Sequence, residues 1–496
     1  MKNKIKILGL AGILLFSPAI VSAKGNVRIW LDGKYLESDV APYIKEDRTL
    51  VPVRVVSENL GYDVKWDSYE RKVTCSSNGK EMVMYVDNKN AKVDNAEKVL
   101  NMAPEITDDR VFIPLRDVSE IFGKEVEWDN DSRTVLIGDS ETIKTFKKEI
   151  NKEAVEKSNS PLVEKKTQNI NGKRVNWAKF NLSSGDLKCE VVTANNGLNG
   201  DEAFSSMIAR KKPLGAINGN FFDAYSTKEP YGPLISNGEV IQLSDSPSVF
   251  SVYEDGTFDI SKKELKFDGF LDGKTKNEWN NDKGVMEFNT FTLWYVNTKP
   301  TDIAGIYKFT NKRGNSINLT GGSVVTIVND KVTKVSDALK NQKFDIPKNG
   351  YLIYFGKDSV KKDYITERFA VGRSVELKAK FDKDGKKVVQ MIGAGPLLLQ
   401  DGNITSAETL KEVKEAKISS NRGGRSAIGI TKDGRIVMAT VSSATVKELA
   451  SVMKELGCVS AMNVDGNASS ALYVDGNIMQ NAGRKLNNTF MIIKNN

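Results

Sequence analysis

The chain has 496 residues, 72 Lys and Arg against 64 Asp and Glu for a formal net charge of +8, three cysteines and no histidine. The missing histidine excludes Ser-His-Asp and Cys-His nucleophile pairs, His-ligated zinc helices and His-ligated haem, and three cysteines cannot complete a four-thiolate metal site within one chain. Acid–base chemistry must fall to Asp, Glu, Lys, Tyr or Cys, with Arg, Asn and backbone amides left to stabilise charge.

The chain begins with Lys2, Lys4 and Lys6, followed by an apolar run from Ile7 to Ile20 and the small-residue site Val21-Ser22-Ala23. This pattern predicts a secretory signal peptide over residues 1–23, and no stable membrane span after its removal. The expected location is extracellular or associated with the cell wall. The remaining basic residues are spread along the chain, which argues against a nucleic-acid partner. Cys75, Cys189 and Cys458 are far apart; two of them could pair, and the plainer reading is three buried thiols.

Residues 27–139 hold an internal repeat. Arg48 to Arg54 (RTLVPVR) recurs 62 positions later as Arg110 to Arg116 (RVFIPLR), and Ser57-Glu58, Gly61, Val64, Trp66-Asp67 and Arg71 recur as Ser119-Glu120, Gly123, Val126, Trp128-Asp129 and Arg133. Each copy predicts a strand, a short helix opened by Pro52 or Pro114 and closed by Gly61 or Gly123, then strands around Trp-Asp. These motifs resemble the copper amine oxidase N-terminal-like domain, a stalk module of secreted proteins. The resemblance implies a duplicated stalk over 24–139 that holds a cell-envelope polymer or serves as an inert spacer. Arg54 and Arg116 are its candidate anion grips, although ion pairs inside each copy explain them as well. A chain without histidine offers copper little.

Residues 140–169 are rich in Lys and Glu, with helical spacing through Ile143, Phe146, Ile150 and Val155, and predict a charged linker helix ending near Ser160-Pro161. From residue 170 to 496 strands and turns dominate. A helix is predicted over Asp201 to Arg210, and a buried strand over Leu214 to Ile217 that runs into Asn218-Gly219. Strands flanking Lys432-Asp433-Gly434 form a hairpin; Thr445 with Glu448 opens a capped helix closed by Gly457; and a last strand, Val459 to Val464, enters Asp465. The predicted class is α+β, with a mainly antiparallel sheet in the larger domain. Asp-Gly-Asn occurs at 401, 465 and 475. The first and last copies lie between alternating apolar runs and predict hairpin turns, whereas the copy at 465 leads into Ala468-Ser469-Ser470 and is the better site candidate.

Several ordered segments, GAIN-GNFFD around Asn218, Tyr231-Gly-Pro, Gly393-Ala-Gly-Pro, Arg425-Ser-Ala-Ile-Gly, Asn463-Val-Asp-Gly-Asn-Ala-Ser-Ser470 and Gly483-Arg-Lys-Leu-Asn-Asn, resemble the phosphodiester glycosidase family. The resemblance implies hydrolysis of a sugar 1-phosphodiester, typically of α-N-acetylglucosamine (GlcNAc), in a glycan that carries sugar phosphate. The rival is a glycan-binding envelope protein without catalysis on the same fold. The catalytic candidates are Asp465 (nucleophile, base or charge stabiliser), Arg425 (phosphate clamp) and Asp223 (acid–base work). The substrate-binding candidates are Asn218, Gly219, Phe221, Phe222, Asn463, Gly466, Ser469, Ser470 and Arg484. No cofactor or metal is called for, and a Ca²⁺ ion on Asp223, Asp401 or Asp465 lacks regular ligand spacing. Relatives usually carry Asp-Gly-Gly-Gly-Ser-Ser where this chain has Asp465-Gly-Asn-Ala-Ser-Ser470. If the third glycine needs positive φ, Ala468 would cost roughly 1 kcal/mol and loosen the site.

Overall fold

The computed structural model describes residues 27–495, apart from 37, 39, 41, 47, 78, 108, 118–122, 130–133, 149–160, 184, 196, 282–283, 360–361 and 384. The predicted signal peptide, the second copy's Ser119, Glu120 and Arg133, and most of the predicted linker helix lie outside the described residues. The chain divides into two compact units, with the boundary between Glu153 and Ala154.

In the N-terminal unit, Arg48–Pro52 and Arg110–Pro114 pair antiparallel at the centre of a four-stranded sheet. Val51 lies opposite Ile113, with Leu50 opposite Pro114 and Pro52 opposite Phe112. The helix Val53–Asn59 starts directly after Pro52, whose fixed φ suits a helix entry, and ends before Gly61 at φ +83°. Arg54 is exposed and faces Glu58 one turn on at 3.5 Å, the internal pairing that the sequence left open. Strands Arg28–Leu31 and Thr134–Gly138 run parallel, and the core gathers Ile29, Val51, Val56, Cys75, Met82, Ile113 and Ile137.

The charged stretch 140–169 is helical at its start and a strand at its end. Residues 140–148 are helical, with Phe146 packed on Trp30 at 4.5 Å between ring centroids. Val163–Ile170 is instead a strand, paired along its whole length with Lys173–Phe180. Its position explains its composition: it is the outer strand of the largest sheet, where Lys and Glu on the solvated face also discourage edge-to-edge association.

The C-terminal unit holds several sheets, and two of them, one seven-stranded and one five-stranded, position the site. The seven-stranded sheet runs in the order 163–170, 173–180, 436–444, 423–431, 458–464, 397–400 and 403–404; the five-stranded one runs 187–193, 488–494, 215–218, 472–474 and 477–480. Every pairing in both is antiparallel. Phe180, Ile217, Ile428, Met438, Met462, Leu472, Phe490 and Ile492 form one buried cluster joining the two sheets. The helix Val446–Glu455 covers the other face through Leu449, Val452 and Met453. Its start carries the predicted capping box: the Thr445 hydroxyl accepts from the Glu448 amide at 3.3 Å, and the Glu448 carboxylate accepts from the Thr445 amide at 2.9 Å. The three cysteines are buried and unpaired with one another. Among the described residues no helix is long and apolar enough to cross a membrane.

Candidate active site

The two sheets bring the chain's Asn-Gly and Asp-Gly segments together. The strand Gly215–Asn218 is wholly buried, and at its end the chain turns across the loop that comes after the strand Cys458–Val464. The Asn218 side chain joins them: its amide donates to the Asp465 carbonyl at 2.5 Å, and its oxygen accepts from the Ala471 amide at 3.0 Å. The Asp465 amide donates to the Gly219 carbonyl at 3.1 Å. Gly219 is required by space, since a Cβ there would stand 1.9 Å from the Asn488 Oδ1 that accepts from the Asn220 amide. Gly466 is required similarly, because a Cβ would meet the Gly424 carbonyl at 2.5 Å.

The Asp465 copy of Asp-Gly-Asn differs from the other two as its context predicted. Asp401-Gly402 and Asp475-Gly476 have positive φ at both positions and close hairpins. After Asp465 only Asn467 is left-handed, at φ 54°, and residues Asn467–Ser469 form a single 3₁₀ turn. Ala468 is not among the positive-φ residues. The expected strain at Ala468 is absent because the left-handed step falls on Asn467, which tolerates it. Asn467 also accepts from the Gly424 amide at 3.0 Å, tying the turn to the Arg425 strand.

Asp465 is half-buried at this junction. Burial pushes its carboxyl up to about 6, against the opposing pull of the Ser469 hydroxyl, the Gly466 amide and the charges of Arg484 and Lys417. The Gly466 amide donates to the carboxylate at 2.8 Å. Ser469 and Ser470 are buried beneath it. Among the described residues the Ser470 hydroxyl, the Asn463 and Asn220 side-chain oxygens and the hydroxyls of Ser426 and Thr489 are buried without a hydrogen-bond partner. Such a concentration of unmatched polar atoms is costly in a core and ordinary in a site that receives polar ligands.

Other expected site residues have different surroundings. Arg425 is 2% exposed and faces inward: it donates to the carbonyls of Ala444 at 3.0 Å, Lys417 at 3.3 Å and Asn421. No carboxylate pairs with it among the described residues, and burial lowers its pKa from the ordinary arginine value. Arg425 therefore braces the 417–421 segment rather than presenting a fork to a phosphate. Asn218, with both ends of its amide engaged by backbone, is a staple rather than a sugar contact. Asn463 donates to the Gly395 carbonyl at 2.8 Å, which draws the Gly-Pro motif to the same junction. Phe221 is half-buried and packs against the main core, and Phe222 bridges to Pro230. Asp223 accepts from the amides of Tyr225, Ser226 and Thr227 at 3.0–3.3 Å and from the Thr227 hydroxyl at 3.2 Å. These bonds, led by the Thr227 amide, hold its carboxyl below the usual range, so it stays ionised and is a poor proton donor.

Arg484 sits at the rim. Its guanidinium donates to the Tyr225 hydroxyl at 3.2 Å and lies 5.2 Å from that ring's centroid. Lys417 and Tyr225 were not found in the sequence and carry no local signal, since only folding brings Lys417 near Asp465 and Tyr225 onto Arg484. Among the described residues no group of three or more His, Cys, Asp or Glu side chains is placed to hold a metal ion.

Comparison with known proteins finds one family match within each unit. Residues 314–493 match the phosphodiester glycosidase family and residues 30–137 match the copper amine oxidase N-terminal domain. The chain thus carries a phosphodiester glycosidase-like region behind a copper amine oxidase N-terminal-like region. The first match covers the Arg425 and Asp465 segments and begins after the Asn218 and Tyr231 segments. No curated protein matches the chain in sequence. Among solved structures, a hypothetical protein from Synechocystis aligns over 95% of this chain and 99% of its own at 15% identity and a TM-score of 0.56, which shows a shared fold. The zebrafish N-acetylglucosamine-1-phosphodiester alpha-N-acetylglucosaminidase catalytic domain, auto-inhibited by its pro-peptide, aligns over 68% of this chain and 85% of its own at 13% identity and a TM-score of 0.37.

Proposed function

We propose that the C-terminal unit is a glycosidase that hydrolyses sugar 1-phosphodiesters of the GlcNAc type in envelope or extracellular glycans. The observation that supports this reading is Asp465, a carboxylate raised by burial where its loop meets the Asn218-Gly219 segment, with the charges of Arg484 and Lys417 acting on it. In the reaction the bond from C1 of the sugar to the bridging oxygen breaks, the phosphate keeps that oxygen and its electron pair, and water supplies the new hydroxyl at C1. A phosphate monoester leaves readily as an anion, so the site needs cations on the phosphate side more than a proton donor. Arg484 and Lys417 supply them. Asp465, ionised above about pH 6, faces the positive charge that develops at C1, as nucleophile, base or stabiliser. No cofactor enters this chemistry.

The N-terminal unit is read as a duplicated stalk that engages an anionic envelope polymer. The 62-residue repeat supports this, together with the symmetric pairing of Arg48–Pro52 with Arg110–Pro114, in which Val51 faces its own counterpart Ile113. Secretion is inferred from the signal-like first 23 residues. The test is incubation of the mature protein with a GlcNAc 1-phosphodiester and assay for free sugar. Release is expected; no release from alkyl or aryl phosphodiesters of any common sugar would favour a glycan-binding role without catalysis.

A further inference from the structure

Tyr225 is 88% exposed, yet the loop that carries it is fixed at every point. Asp223 gathers the amides of residues 225–227 under its carboxylate. The loop is closed by backbone bonds from the Asp223 amide to the Glu229 carbonyl and from the Lys228 amide to the Asp223 carbonyl, both 2.9 Å. Its base is anchored by Glu229, 6% exposed, which accepts from the Lys299 amide at 2.6 Å and pairs with Arg313 at 3.1 Å. A ring held on so closely bonded a mount keeps its face turned to solvent, where a ligand can reach it.

Arg484 reaches Tyr225 across 259 residues of sequence, with one hydrogen bond to the hydroxyl and the guanidinium over the ring. No carboxylate pairs with Arg484 among the described residues. Its own segment is tied to the Asp465 loop, because the neighbouring Gly483 amide donates to the Ala468 carbonyl at 2.8 Å. The arrangement therefore offers an aromatic surface and, beside it, a guanidinium that feels the Asp465 charge but has no carboxylate in direct contact. A sugar's C–H face packs on the first, and a phosphate oxygen pair matches the second.

We propose that Tyr225 and Arg484 form one grip for a phosphorylated sugar, the ring taking the sugar face and the guanidinium the phosphate, with Asp223 as the positioning residue that fixes the ring. The inference rests on reading the site as one for sugar 1-phosphodiesters. It assigns sugar stacking to Tyr225 instead of the half-buried Phe221 and Phe222, and phosphate binding to Arg484 instead of the inward-facing Arg425.

The test is calorimetric binding of α-GlcNAc 1-phosphate and of free GlcNAc to the full chain and to Tyr225→Ala, Tyr225→Phe and Arg484→Ala, with thermal melts as a check on folding. Arg484→Ala should weaken the phosphorylated sugar about 10-fold or more and free GlcNAc less than about 2-fold, as loss of a charge-assisted contact requires. Tyr225→Ala should weaken both about 10-fold, while Tyr225→Phe, which keeps the ring, should hold free GlcNAc near the wild-type level. Asp223→Asn should resemble a weaker Tyr225→Ala and leave the melting curve in place. The proposal is overturned if Tyr225→Ala binds both ligands as the wild type does, if Arg484→Ala loses both equally, or if the wild type binds the phosphorylated sugar no better than the free one. Phosphate-selective binding that depends on Arg484 in a protein that hydrolyses no phosphodiester would sink the enzyme reading and leave the grip standing. Full hydrolysis with no dependence on Tyr225 or Arg484 would do the reverse.

Discussion

Replacing Asp465 by asparagine separates what the carboxylate does for the reaction from what it does to the fold. Burial holds this group at about 6, well above the ordinary 3.8, so the folded chain binds its proton more tightly than the unfolded chain does. Below about pH 4 both states are mostly protonated and the carboxyl costs little; as pH rises through about 6 the folded state must carry a buried charge, and stability falls. The gap between the two values corresponds to roughly 3 kcal/mol at neutral pH. Asparagine has nearly the same shape, can still accept from the Gly466 amide and carries no charge. Guanidinium unfolding at pH 7.5 should therefore find Asp465→Asn more stable than the wild type by about 2–3 kcal/mol, and at pH 4 nearly equal to it. Sugar release should meanwhile fall by roughly two orders of magnitude or more, as loss of a charge-stabilising group does. A variant equal to the wild type at both pH values, or less stable at pH 7.5, would mean that the fold does not raise the Asp465 carboxyl and would remove the electrostatic basis of the account.

The rate of hydrolysis should rise with pH through a limb near 6, since the ionised form of Asp465 acts, and Arg484→Ala should move that limb upward by removing a cation that favours the ionised form. A pH–rate profile of the two proteins checks both parts; a flat profile between pH 5 and 7 counts against them. Gly219→Ala should destabilise the C-terminal unit by about 2 kcal/mol or more and abolish sugar release, because its Cβ would displace the Asn488 oxygen 1.9 Å away; a thermal melt and the release assay read the two effects. Thr445→Ala should cost about 1 kcal/mol by removing the cap of the helix Val446–Glu455, which a guanidinium unfolding curve reads.

Much of the fold was legible because its signals are local. Capping residues, the Lys432-Asp433-Gly434 turn and apolar alternation placed the helix Val446–Glu455 and the strands around it to within a few residues. The three Asp-Gly-Asn copies could be told apart by the residues next to each one, and the structure separates them likewise by backbone conformation. Val163–Ile170 was read only as the tail of a charged linker, because a solvated edge strand draws on the same Lys and Glu residues as an exposed linker. Within the site, Asp465 and its loop could be found by motif, but the direction of a side chain could not. Arg425 lies one step beyond the Ser426–Val464 pair, yet its guanidinium goes to the carbonyls of Ala444, Lys417 and Asn421, partners that only the fold brings to it. Tyr225 and Arg484 meet only through the fold, and the sequence around Tyr225 reads as an ordinary polar loop.

Isotope labelling tests the central claim most directly. A GlcNAc 1-phosphodiester hydrolysed in ¹⁸O-water by the wild-type protein should yield sugar with the label at C1 and unlabelled phosphate, and Asp465→Asn should yield almost none of either. Label in the phosphate would make the protein a phosphodiesterase that cleaves the P–O bond, and undiminished release by Asp465→Asn would place the chemistry on other residues.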